Sequence, residues 1–136
     1  IDFSSPYANT GKDKVDIACD VINEPIPVKN DTYDYVYTSH LIEDFEDTFK
    51  GIFEFIRILK PGGNLILVFP DQKKYEQHCR QTGQPLNTYH KHADMSRDFM
   101  INVLNQLPNA EYKILFESNC QIDYNVILVL QILKNG

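Results

Sequence analysis

The sequence predicts an α/β domain whose mostly parallel sheet finishes in an antiparallel hairpin. Three observations carry that prediction. Hydrophobic periodicity changes along the chain in the order β-β-α-β-α-α-β-β, the alternation of an α/β fold. Residues 64–70 form a near-continuous apolar run of strand length, as expected for a strand covered on both faces. The last two strand segments, about 111–118 and 124–133, are separated only by residues 119–123, a link that can join only antiparallel neighbours.

Each element has its own local signal. Val15, Ile17 and Cys19 alternate with polar or small residues, which predicts a strand over 14–20. Pro25, Pro27, Asn30 and Asp31 mark a loop over 23–32. Tyr33, Tyr35 and Tyr37 share one side of a strand over 33–39 and are expected to pack against helices. Phe45, Phe49, Ile52, Ile56 and Leu59 then follow helical spacing, predicting a helix over 43–60. Its acids Glu43, Asp44, Glu46 and Asp47 come first and its bases Arg57 and Lys60 last, which suits the helix dipole. Pro61-Gly62-Gly63 is expected to stop it.

After the strand at 64–70, Asp71 can cap a short helix through about Cys79, broken by Gly83 and Pro85. A loop carrying His90 and His92 leads to a helix near 95–107, with Asp94 or Ser96 as its cap. The apolar positions of that helix are Phe99, Met100, Val103, Leu104 and Leu107.

Composition narrows the function. The 136 residues carry 13 basic and 19 acidic side chains, a formal charge of −6. That sign argues against a nucleic-acid partner, because a phosphate backbone is held by surplus Lys and Arg. The acids concentrate early: residues 1–60 hold twelve acids and six bases, residues 61–136 seven of each. No apolar run approaches the ~20 residues that span a bilayer. Cys19, Cys79 and Cys120 are odd in number and form no CxxC pair, the usage of free thiols in a reducing cytoplasm. Residues 1–136 are expected to form a single domain. The chain opens Ile-Asp-Phe-Ser without methionine and reads as though an element had been cut through.

Three segments together resemble one family. They are the stretch from Asn30 through Asp34, Val36, Ser39 and His40 to Glu43; the helix end Arg57-Ile-Leu-Lys-Pro-Gly-Gly63; and the strand Leu65–Val68 closing on Pro70-Asp71. Their order and content are similar to class I S-adenosylmethionine-dependent methyltransferases of the type 11 group. The resemblance implies a Rossmann-like fold of three α/β/α layers and S-adenosylmethionine as cofactor. It also implies methyl transfer to an acceptor that the sequence does not identify.

The same resemblance assigns candidate residues. Ile1-Asp2-Phe3 would end the family's second strand, with Asp2 on the ribose hydroxyls and Phe3 against adenine. Asp20 would sit near the adenine amino group with Val21 beside the ring. Ser39 would face the methionine part, and His40 would be a polar group near the reacting centre. The chemistry is sound in itself, since carboxylates accept hydrogen bonds from vicinal hydroxyls and exocyclic amines. The glycine-rich loop of the family is absent, as no G-x-G-x-G occurs among glycines 11, 51, 62, 63, 83 and 136. The chain is therefore expected to lack the family's first strand. Ile42 and Asp44 also depart from the family's usual leucine and histidine. The competing expectation is a non-catalytic fragment or relict that keeps the fold without binding cofactor by itself.

Other residues draw plainer readings. Glu43 and Asp44 are expected to serve the helix N-terminus. His90-Lys-His92-Ala-Asp94 matches the start of an H-x-H-x-D-H zinc signature, but Met95 breaks it, and no metal site is expected. These histidines are read as loop residues, with a place beside the substrate as the alternative.

Overall fold

This computed structural model describes residues 19–108 and 110–134. The first strand expected, 14–20, therefore lies outside the described residues except for Cys19 and Asp20, which are not in a strand. The described elements are β1 (Tyr33–Ser39), a 3-10 turn (Ile42–Asp44), α1 (Thr48–Ile58), β2 (Leu59–Pro70), α2 (Gln72–Thr82), α3 (Arg97–Leu104), β3 (Ala110–Asn119) and β4 (Asn125–Lys134).

The sheet runs β1-β2-β4-β3. β1 and β2 are parallel, whereas β4 pairs antiparallel with both β2 and β3. The hairpin at the chain's end thus folds back so that its second strand enters the sheet beside β2. Among the described residues the sheet is mixed, with one parallel pairing and two antiparallel ones, where the sequence predicts a parallel majority. β1 is an edge strand of the described sheet.

One core holds these elements together. Leu65, Leu67 and Phe69 of β2 and Val126, Leu128, Leu130 and Ile132 of β4 form a single buried cluster with Ile52, Phe55 and Ile56 of α1 and Met100, Val103 and Leu104 of α3. Alternate residues of each strand point the same way, so this set is one face of the sheet. Each fully buried large apolar side chain contributes roughly 1.5–3 kcal/mol. The opposite face carries Tyr35 and Tyr37, 64% and 58% exposed, and Phe116, 56% exposed. The expected packing of the tyrosines against helices does not occur among the described residues, because α1 and α3 cover the other face.

Two boundaries differ from expectation. α1 begins at Thr48, where the Asp47 side chain accepts from the Lys50 amide. Phe45 interrupts the earlier residues by adopting an extended backbone, so Glu43 and Asp44 belong to a separate 3-10 turn. The acids 43–47 therefore do not line one helix start. At the other end the helix stops at Ile58, and residues 60–63 become a bulge inside β2. Register passes from Tyr33↔Leu59 directly to Tyr35↔Asn64, leaving the extra residues of β2 unpaired. Gly62 has φ of +81°, and a Cβ on Gly63 would come within 2.9 Å of the Asp34 and Lys60 carbonyl oxygens. Glycine is required there for that geometry.

The remaining boundaries agree closely with the sequence. Asp71 accepts from the Lys74 amide and caps α2, and Gly83, at φ of +74°, closes it. Of the two cap candidates for α3, Ser96 is the cap, accepting from the Phe99 amide at 3.1 Å. The loop before β1 is fastened by Arg57. Its guanidinium donates to the Ile26 and Val28 carbonyls and to both oxygens of Glu54, while Glu54 accepts from the Ile26 amide at 2.8 Å.

Candidate functional site

In open α/β sheets, ligands bind beyond the carboxyl ends of the strands. The parallel pair β1–β2 delivers two chain segments to that rim. Ser39 lies opposite Val68, and the next residue, His40, donates its amide to the Val68 carbonyl at 2.9 Å. His40 takes φ of +54°, which turns the chain sharply off the strand. The 3-10 turn then brings Glu43 back toward it, with Glu43 Oε1 3.6 Å from His40 Nδ1. The Glu43 side chain is only 2% exposed, whereas that of His40 is 47% exposed. The Glu43 carboxylate holds the His40 pKa above the ordinary histidine range, against the opposing pull of burial.

The loop after α2 closes the rim from the other side. The Lys91 amide donates to the Glu43 carbonyl at 3.0 Å, which fixes His90 beside the turn. His90 Nδ1 lies 2.8 Å from Gln72 Oε1, while Gln72 Nε2 donates to Glu76 Oε1 at 3.3 Å. That chain sets the tautomer: an amide oxygen can only accept, so His90 carries its proton on Nδ1 when neutral. Burial pushes the His90 pKa down, favouring the neutral ring. Aromatic rings continue the rim. Tyr75 packs on His90 at 4.8 Å between centroids and on Tyr124 at 5.3 Å, and His78 stands 5.0 Å from Tyr124. Donor atoms of Glu43, Asp44 and His90 lie within 4.8 Å of one another.

Of the residues singled out in the sequence, Ser39 and His40 stand at this rim. Asp20 closes its own turn: Oδ1 accepts from the Ile22 amide at 3.1 Å and Oδ2 from Asn23 Nδ2 at 2.5 Å. Val21 is 5% exposed and belongs to the core cluster. Asp2 and Phe3 lie outside the described residues. His92 does not join His90. Its Nε2 lies 2.8 Å from the Phe45 carbonyl and 3.1 Å from Thr48 Oγ1, and Asp94 is exposed. The zinc-signature pattern therefore does not converge. Cys19 is buried, and burial first of all pushes its thiol pKa up, away from nucleophile chemistry.

Sequence reasoning missed Glu43, Gln72, His90, Tyr75 and Tyr124 as one neighbourhood. Nothing in their spacing announces it, since the rim joins residues from four segments: the 3-10 turn, α2, the loop after it and the β3–β4 turn. The only local hint was the three-residue step from His40 to Glu43.

The fit to S-adenosylmethionine can be tested on these atoms. Each Asp20 carboxylate oxygen accepts one hydrogen bond and keeps a lone-pair direction for an exocyclic amine. Ser39 is exposed at the strand end, able to meet a polar methionine group. The described residues are compatible with the cofactor on those two counts.

Comparison with known proteins accords with the geometry. Residues 1–67 match the family model of the methyltransferase domain. No curated protein matches the chain. Among solved structures, a protein from Pyrococcus horikoshii OT3 is similar with a TM-score of 0.64 and 16% identity, over 92% of this chain and 65% of that one. An S-adenosylmethionine-dependent methyltransferase from Thermotoga maritima is similar with a TM-score of 0.60 and 17% identity, over 85% and 62%. Another from Archaeoglobus fulgidus gives a TM-score of 0.58 and 12% identity, over 85% and 66%. The chain spans 62–66% of the length of these three proteins. It carries the methyltransferase-domain sequence pattern over residues 1–67 and has the α/β fold of S-adenosylmethionine-dependent methyltransferases.

Proposed function

We propose that this protein transfers the methyl group of S-adenosylmethionine to an acceptor that meets it at the carboxyl rim of β1 and β2. The observation that carries the reading is the placement of Ser39 and His40, side by side, where the parallel pair ends and the family pattern runs through them. The cofactor, when bound, supplies a methyl group already activated by its sulfonium. The chain's own task is then orientation and exclusion of water. In this reading Ser39 and Asp20 face the cofactor, joined by Asp2 and Phe3, with Val21 packed in the core behind Asp20.

His40 is the group for the acceptor side. Half exposed and backed by the buried Glu43 carboxylate, it can hold a proton released by an acceptor N–H or O–H, and Glu43 stabilises the resulting imidazolium. Tyr75 and Tyr124 offer an apolar wall with polar tips close by. The acidic balance disfavours nucleic acid as acceptor. Among the described residues no helix is long and apolar enough to cross a membrane. The three unpaired cysteines fit a reducing compartment, which we take to be the cytoplasm.

Calorimetry of the full-length protein with S-adenosylmethionine and with its demethylated product tests the reading. Binding of either is expected. A folded full-length protein that binds neither overturns it and leaves a methyltransferase fold without cofactor chemistry.

A further inference from the structure

Glu43 is the odd group at the rim. Its side chain is 2% exposed, Oε1 faces His40, and Oε2 is buried with no hydrogen-bond partner among the described residues. A carboxylate oxygen taken from water and left without a donor is costly, and it calls for a positive partner. The groups nearest it in the cluster are the Asp44 carboxylate and His90, all with donor atoms within 4.8 Å.

We propose that Glu43, Asp44 and His90 form a binding site for a first-row divalent transition-metal ion, with zinc the best fit. The donor set selects the class. Two carboxylates alone would suit magnesium or calcium, whereas an imidazole shifts the preference to zinc and its neighbours. Zinc accepts mixed nitrogen and oxygen donors at about 2.0–2.2 Å, which sets neighbouring donor atoms roughly 3.3 Å apart. The present spread of up to 4.8 Å would have to narrow on binding, with His90 kept on Gln72.

The second independent observation is the preparation of His90. Its Nδ1–H is held by Gln72 Oε1, and Gln72 is itself 7% exposed and oriented by Glu76. That arrangement leaves the Nε2 lone pair for a ligand, the outer-shell pattern that typically accompanies metal-bound histidine. The Lys91–Glu43 backbone bond ties the two ligand segments together. With three protein ligands, a bound ion would keep a position open toward the rim, for a water or a donor atom of a small molecule.

The proposal shares Glu43 with the acceptor-side reading of His40, and its test reads metal binding, not methyl transfer. It is tested by titrating Zn²⁺ into chelator-stripped full-length protein, with Co²⁺ as a spectroscopic stand-in. One equivalent of Zn²⁺ is expected, and it should raise the melting temperature. His90→Ala and Glu43→Gln should each weaken binding roughly ten-fold or more, on the scale on which even outer-shell changes act. His90→Ala, at a partly buried loop position, serves should Glu43→Gln fail to fold. The Co²⁺ spectrum should show weak visible bands without the intense near-ultraviolet absorption of thiolate ligation. Absence of stoichiometric Zn²⁺ binding, unchanged affinity in folded His90→Ala, or a thiolate band assigning the ion to cysteines would each overturn the proposal.

Discussion

His90 Nδ1 meets Gln72 Oε1 at 2.8 Å, and this single bond decides which nitrogen of the ring is left as acceptor. Gln72 cannot reverse its amide without losing the bond from Nε2 to Glu76. Gln72→Leu is therefore expected to release the tautomer. Long-range proton–nitrogen correlation spectra should show one His90 tautomer in the wild type and a mixture in the variant. Stability should fall by about 1 kcal/mol as the ring loses its acceptor.

The Glu54–Arg57 pair links α1 to the loop before β1. Both side chains are largely covered, at 12% and 22% exposed, and Arg57 also serves two backbone carbonyls. Arg57→Ala strands those carbonyls and the carboxylate together. We expect a loss of roughly 2–4 kcal/mol, toward the range for breaking a buried pair, read by urea denaturation.

The same pair shapes the acid limb of stability. Hydrogen bonding from Arg57, against burial, holds the Glu54 pKa below the usual carboxylate range. The unfolded chain then binds this proton more readily than the folded one. Its contribution is thus complete above the ordinary glutamate value of about 4.3, and it is lost as pH falls through the lower folded value. Glu54→Gln should flatten that portion of the stability profile while lowering stability at neutral pH.

Asp47 tests the start of α1. Were it inside a helix beginning at residue 43, Asp47→Ala would stabilise through better helix propensity. Since its carboxylate caps the Lys50 amide at 3.0 Å, the change should instead cost about 1 kcal/mol. The sign of the shift in thermal melting decides between the two boundaries.

Gly51 lies against Phe45, and an added Cβ would overlap the ring. Phe45 is 1% exposed and packs on Phe55 at 6.1 Å between centroids, so it has little room to retreat. Gly51→Ala gains up to ~1 kcal/mol in helix propensity but incurs overpacking of about 1–3 kcal/mol. Net destabilisation is expected in chemical denaturation, and Gly51→Ser should do no better.

Most element positions and the family pattern are legible in neighbouring residues. The 4-3-4-3 spacing from Phe45 to Leu59 picks out buried positions, Phe45, Ile52, Ile56 and Leu59, although only Phe49, Ile52 and Ile56 lie within α1. Asp71, Gly83 and Ser96 announce helix ends through side-chain and backbone chemistry that acts within a few residues. The resemblance of 30–43 and 57–71 to methyltransferases likewise needs no folding to be seen.

Where those pieces meet depends on packing between distant segments. Periodicity predicts a strand over about 124–133, but the insertion of β4 between β2 and β3 depends on which edge best buries Val126, Leu128, Leu130 and Ile132. Glu43 read as a helix-start acid, because nothing local shows that its carbonyl meets the Lys91 amide, more than forty positions away. Pairing of His90 with Gln72 is likewise a product of loop closure. Local chemistry set what each residue can do, and the packing of distant segments set which of those capacities stand together.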